Sequence, residues 1–227
     1  MESQSNYPKR GGLPGKTVSP RLKEIEDNFV KNGGSFKEFR IGDLFYKLDL
    51  KFRKNKFDKK KDVSTVRNHE FCLPLVNAKN GDNGIMYYGR SEDWDSEELC
   101  IDIVNDGAVS TGNAYPQPQR TSVLYNAYLI KGIEKSFHNE LAIIYASQVL
   151  QKSIKGRYGY DNKATWEKVK NDFISLPITS DNHIAFDTME TFIRTVEKLC
   201  VRSVVQWKDK IIETIKRIVN ENALSDA

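Results

Sequence analysis

Residues 10–17, Arg-Gly-Gly-Leu-Pro-Gly-Lys-Thr, come close to a phosphate-binding loop, in which backbone N–H groups cradle a nucleotide's phosphates and a lysine neutralises them. The pattern needs glycine five positions before Gly15, where Arg10 stands, and a hydrophobic strand leading in, where residues 1–9 are polar. Phosphate-loop chemistry is therefore rejected. His69, His138 and His183 have no metal-ligand spacing to one another or to Cys72, Cys100 and Cys200, so no metal site is expected. The cysteines lie far apart in apolar contexts and read as buried free thiols of a reducing compartment. There is no Gly-x-Ser-x-Gly nucleophile turn and no Glu-x-Lys triplet. Asp-x-Lys triplets such as Asp49–Lys51 and Asp58–Lys60 lack the preceding Pro-Asp of a nuclease core, and no Pro-Pro dipeptide is present to hold a methylation target base. These residue types predict recognition rather than catalysis: no catalytic residue, no metal and no cofactor.

Charge is distributed in blocks. Residues 47–67 hold nine Lys/Arg against three Asp, while residues 92–106 hold seven acids and no base. Such segregation predicts one face suited to a polyanion and another that avoids it. The basic run Lys51, Arg53, Lys54, Lys56, Lys59, Lys60 and Lys61 could contact phosphates. Loops rich in Asn, Gln, Arg and Tyr could reach base edges, since Asn or Gln pairs bidentately with adenine and Arg with guanine. Three loops qualify: 77–83, with Asn77, Lys79 and Asn80; 112–120, with Asn113, Tyr115, Gln117, Gln119 and Arg120; and 156–163, with Arg157, Tyr158, Tyr160 and Lys163. Each could equally be ordinary turn chemistry, and the basic run a solvated loop.

The elements that would carry these groups form a mixed α+β domain. A flexible tail and a short helix at 20–31, with Leu22, Ile25 and Phe29 at helical spacing, make up residues 1–35. From about 36 to 180 the reading is a strand at Phe36–Ile41 and a helical turn near Gly42. Strands are then expected at 70–78, 84–89, 99–105, 107–111 and 122–131, and a helix at 138–154 on Leu141, Ile144, Tyr145, Gln148 and Val149. Trp166, Phe173 and Leu176 are expected in the core.

Between Ile184 and Asn222 there is neither Gly nor Pro, so the chain predicts one helix about 58 Å long over 184–222. Apolar residues recur on it at near-heptad steps, among them Ile193, Val196, Val204, Trp207, Ile211, Ile215 and Ile218, with Phe192, Leu199, Val205, Ile212 and Val219 widening the stripe. A preceding domain cannot cover so long a stripe, which needs a partner helix from another copy or another protein unless the segment bends into two helices on the domain's own surface. The expected partner is a second copy, making a homodimer. The 39% hydrophobic content suffices for a core. A mean hydropathy of −0.58, no apolar run near ~20 residues and no hydrophobic leader predict a soluble, cytoplasmic protein without a membrane partner.

In three pieces the chain resembles the DNA-specificity (S) subunits of type I restriction–modification systems, and their relatives in fused restriction enzymes. Phe-Lys-Glu-Phe-Arg-Ile-Gly-Asp-Leu-Phe (36–45) is similar to the entry of a target recognition domain. Residues 156–178, loop, short helix and a strand around Pro177, are similar to its exit, and the helix that follows is similar to the spacer helix. The resemblance implies a non-enzymatic subunit that binds double-stranded DNA and carries methyltransferase (M) subunits to a bipartite site. A full-length member has two recognition domains and two spacer helices; this sequence has one of each and is similar to half a subunit. A coiled-coil scaffold for protein partners and an RNA-binding domain remain alternatives, although neither an RNP-type aromatic pattern nor a Gly-x-x-Gly clamp is evident.

Overall fold

A computed structural model of the chain describes residues 19–225, with side chains to Ile218. The expected tail, the Arg10–Thr17 segment and the Val219 side chain lie outside those described residues. Helix α1 (Pro20–Lys31) opens on proline, whose missing N–H costs nothing in a first turn, and is followed by Gly33 at φ 82°. Strand β1 (Ser35–Arg40) leads into a single helical turn, α2 (Ile41–Leu44), and then β2 (Phe45–Lys47). The turn is held by the far end of the domain: the N–H groups of Ile41 and Gly42 donate to the carbonyls of Asp172 and Lys170. A side chain at position 42 would press its Cβ to 2.9 Å from that Lys170 carbonyl, so close approach requires glycine there.

After a turn of helix, α3 (Lys59–Asp62), come β3 (Val63–Ser64), β4 (Leu73–Val76), β5 (Ile85–Gly89), β6 (Cys100–Val104), β7 (Ala114–Gln117), β8 (Ser122–Val123) and β9 (Ala127–Gly132). Two four-stranded sheets result, ordered β2-β9-β6-β7 and β3-β5-β4-β8; β4 and β8 run parallel and the other pairs antiparallel. Alternation along β6 assigns its faces. Ile101 and Ile103 join Ile130, Ala146, Leu150 and Ile154 beneath helix α4 (Glu140–Ile154), while Cys100 meets Val76, Leu129 and Val123 between the sheets. Asn139 caps α4, its Oδ1 accepting from the Leu141 and Ala142 N–H groups. Helix α5 (Trp166–Val169) and strand β10 (Phe173–Ile178) return the chain to β1, with which β10 pairs antiparallel from Ser35–Ile178 to Arg40–Phe173. The entry and exit segments are thus one two-stranded unit. Helix α6 (Phe186–Ser225) follows, with 40 residues and a length of about 60 Å.

The mixed α+β architecture and the long helix agree with expectation; several details differ. Residues 107–111 form a turn, not a strand, and part of the expected 112–120 loop is strand β7. Pro116 obscured it in the sequence, but β7 is an edge strand, where a missing donor is tolerated. The run 122–131 is two strands in different sheets, separated at Asn126 with φ 58°. Helix α4 is covered on two sides: Ile143, Ala146 and Leu150 face the sheet, and Tyr145 meets Phe192 of α6 at 6.0 Å. Leu176 is fully buried and Trp166 packs on Tyr128, but Phe173 is 51% exposed, since the strand alternation that buries Ile174 turns it outward. Cys100 is buried, Cys72 half-buried and Cys200 exposed, so burial does not hold for all three thiols. Helix α6 starts at Phe186 because Ile184 bridges to Ile178 instead.

Candidate nucleic-acid interface

The basic run lies across β5 and the turn before β9. Lys59 Nζ sits 4.7 Å from the Tyr87 ring, and Phe57 packs edge-on to Tyr125 at 6.2 Å. Its neighbours overturn the expectation of segregated charge. The acidic segment folds directly against it: Arg53 pairs with Asp95 at 2.8 Å and Lys54 with the buried Asp93 at 2.5 Å, while Phe52 bridges to Trp94. Lys51 pairs with Asp49 at 2.9 Å. Two runs far apart in sequence compensate each other in space, and only part of the basic charge is left for a ligand. Lys56, Lys59 and Lys60 are exposed and without an ion pair among the described residues; Lys61 has a long one, 3.9 Å to Asp58.

The predicted reading loops divide. In 77–83, Lys79 reaches Asp82 at 2.7 Å and the Ile85 carbonyl at 2.9 Å, and the Asn80 Oδ1 accepts from Asn113 Nδ2. The Lys79 ammonium holds the Asp82 carboxyl below its ordinary range. Tyr115 OH accepts from the Gly81 N–H at 2.9 Å and from Asn113 Nδ2 at 2.8 Å, fastening this loop to β7. Three expected readers are corrected on burial. Asn77 (7% exposed), Asn113 (1%) and Gln117 (0%) lie inside, and Gln117 Nε2 donates to the Asn83 carbonyl. They shape the loop; their amides face the protein. Strand β7 also carries Gln119 and Arg120 away from Asn113 and Tyr115, to a turn held by paired hydrogen bonds between Glu97 and Thr121. These two are separate from the other readers.

The loop 156–163 is anchored by Arg157 and Tyr158, both on Asp172, at 3.1 and 2.6 Å. Burial, followed by that hydrogen bond, pushes the Tyr158 phenol upward, so it stays neutral. Tyr160 is 76% exposed, and Lys163 pairs with Asp106 at 2.6 Å. The loops connect through the backbone: Ala164 N–H donates to the Asn105 carbonyl, and the Asn105 and Asp106 N–H groups donate to Asn126, beside Tyr125. A continuous rim follows, from Lys56–Lys60 through Tyr125–Asn126 and 105–112 to 155–163, with Asn80 beside it. Tyr125, Asn126, Lys155 and Val109 are exposed members that the sequence reading missed. The Tyr-Asn pair at 125–126 is a turn signal, and the glycines at 107 and 112 bracket the other turn.

The residues expected to pair copies also divide. Ile193 is 7% exposed and Val196 half-buried, so the first turns of α6 belong to the domain and Ile193 lies outside any seam. From Cys200 to Ile218 every residue is exposed, including Val204 (63%), Trp207 (66%), Ile211, Ile215 and Ile218.

Among the described residues no His/Cys/Asp/Glu group could hold a metal, and no helix is long and apolar enough to cross a membrane. The type I restriction modification DNA specificity domain matches residues 34–199. Among solved structures the chain is similar to the S subunit of a type I restriction-modification system from M. genitalium, at 15% identity and TM-score 0.52, over 85% of this chain and 45% of that one. It is also similar to the HsdS subunit from Thermoanaerobacter tengcongensis, at 11% identity and TM-score 0.44, over 85% and 41%. No curated protein matches. The first likeness is one of fold, and the chain spans less than half of that S subunit. With the matched region running from β1 into α6, the chain belongs to the type I restriction modification DNA specificity domain family.

Proposed function

We propose that the chain recognises double-stranded DNA for a restriction–modification complex, reading one half of a bipartite site and directing methyltransferase subunits to it without chemistry of its own. The observation that carries the reading is the continuous rim, where separate loops bring exposed Lys56, Lys59 and Lys60 into line with Tyr125, Asn126, Tyr160 and Lys163. Phosphate contacts from such cations position a duplex, and neighbouring polar groups read it. The free end of α6 supports two kinds of helical partner. At ~100° per residue its apolar arc, from Trp207 through Ile211 and Ile215 to Val205, spans about 160°, wider than the narrow seam of one coiled-coil contact. One flank suits a second copy of the chain, the other a methyltransferase subunit. Selection from a randomised duplex library, followed by titration at several salt concentrations, tests the reading. A defined motif whose binding weakens steeply with salt is expected, with no methyl transfer by the purified chain. Absence of duplex binding at low salt would leave a coiled-coil scaffold.

A further inference from the structure

Val109 is 77% exposed, the most exposed of the large hydrophobic side chains among the described residues. Its setting is not that of a loose loop. The Gly107 N–H donates to Thr111 Oγ1 at 2.9 Å, and that hydroxyl donates back to the Gly107 carbonyl at 2.7 Å. Ser110 and Thr111 N–H donate to the same carbonyl, and both residues are buried. Upstream, Asp106 is held by Lys163 and by the Asn126 carbonyl. Gly107 is fixed by space as well: a Cβ there would lie 2.4 Å from Ser110 Oγ and 3.1 Å from the Ala78 Cβ. A stiff turn therefore presents a β-branched apolar side chain outward, with its single χ1 torsion already restricted.

The tip stands within the rim assigned to DNA, and any role for it in recognition rests on that reading. The turn follows Asp106, which pairs with the cationic Lys163, and the exposed Tyr160 lies on the same rim, so an apolar tip there is an exception in need of an apolar contact. Base edges in a duplex offer hydrogen-bond donors and acceptors almost everywhere; the apolar feature of the major groove is the C5-methyl group of thymine. A membrane or a protein surface would call for a broad apolar patch, and Val109 stands alone on its turn. We propose that Val109 reads a thymine through its methyl group, making one position of the recognised half-site specific for T.

The purified full chain is put through selection from a randomised duplex library, alongside Val109→Ser and Val109→Ala. Because the side chain is exposed, the variants should melt with the parent, which a thermal scan checks. The parent should fix a T that Val109→Ser leaves degenerate, with the rest of the motif retained. Replacing that thymine by deoxyuridine, which removes only the methyl, should weaken the parent about fourfold, the equivalent of one buried methyl, and leave Val109→Ser unaffected. An unchanged motif in Val109→Ser overturns the proposal while leaving DNA reading intact. So does a parent indifferent to deoxyuridine, the result expected if Val109 instead wedged between base steps. A parent that selects no motif overturns the DNA-reading function itself.

Discussion

Asp102 lies at the middle of β6 with no solvent exposure and no hydrogen bond to either carboxylate oxygen. It sits where the 77–84 loop closes over the sheet: a Cβ on Gly84 would come 2.3 Å from its Oδ2, and Tyr115 is its partner on β7. Burial raises its pKa well above the ordinary carboxyl value, so the folded protein holds a neutral acid under one edge of the rim. The sign of the resulting pH effect is fixed. Below the unfolded value, near ~4, both states carry the proton and the group costs nothing. As pH rises past it the unfolded chain ionises while the folded one does not, and stability falls until the folded pKa is passed. Asp102→Asn removes the titration at nearly constant shape. Urea melts should find the variant more stable than the parent at pH 7.5, with the difference shrinking toward zero near pH 4. A variant less stable at pH 7.5 would mean that Asp102 is ionised and stabilised in the native protein. Cys100, two residues along the strand, is pushed up to about 12, first by burial, and should resist alkylation while exposed Cys200 reacts.

Helix α6 behaves as two elements joined end to end. Met189 and Ile193 are core residues of the domain, whereas Val204 to Ile218 are exposed throughout. Ile193→Asp should therefore lower domain stability by about 3 kcal/mol or more, since it buries an unpaired charge. Ile211→Glu with Ile215→Glu should leave the thermal midpoint of the domain within a few degrees while changing association, read by light scattering. The basic run carries its own test at this scale. Replacing Lys56, Lys59 and Lys60 by Ala should weaken all duplexes alike and flatten the log–log salt slope by up to about 3, near 0.9 per lost phosphate contact. Replacing Arg53 and Lys54, whose charges Asp95 and Asp93 already occupy, should change the slope much less. That contrast also marks where sequence reading stopped. The long helix, the loops at 77–83 and 156–163 and the Gly-Asp-Leu-Phe turn were legible because periodicity and turn residues act locally. The pairing of 51–54 with 93–95 was not, because two runs some forty residues apart meet only through sheet topology. Nor was the burial of Asn113 and Gln117: a strand that carries Pro116 and Gln117 and follows directly on Asn113 looks like a loop until its edge position is known.

For the whole molecule, the proposed pairing of copies sets the relation between two rims. On the proposed function a single rim would cover one half-site, and the exposed stripe between Cys200 and Ile218 would fix how two copies align. Parallel helices would place both domains at the same end and leave the rims crowded together. Antiparallel helices put one domain at each end, with a two-fold axis between them, so the two half-sites must be inverted repeats. Centring that axis on Asp209, the middle of the exposed stripe, stacks Trp207 against the partner copy's Ile211, Val204 against its Thr214, and Cys200 against its Ile218. Each of these layers joins heptad positions a and d, as an antiparallel coiled coil requires. The arrangement makes a chemical prediction. In Ile218→Cys, mild oxidation should produce a covalent dimer between Cys200 of one copy and the thiol introduced into the other, because facing seam residues lie within disulfide reach. The parent, with Cys200 alone on the seam, should cross-link poorly. The cross-linked dimer should bind an inverted repeat at least as tightly as the uncrosslinked protein and gain nothing on a direct repeat. Efficient cross-linking of the parent through Cys200 to Cys200 would establish the parallel arrangement instead. A monomer at high concentration would assign the stripe to a different chain, and the recognised site would then be asymmetric.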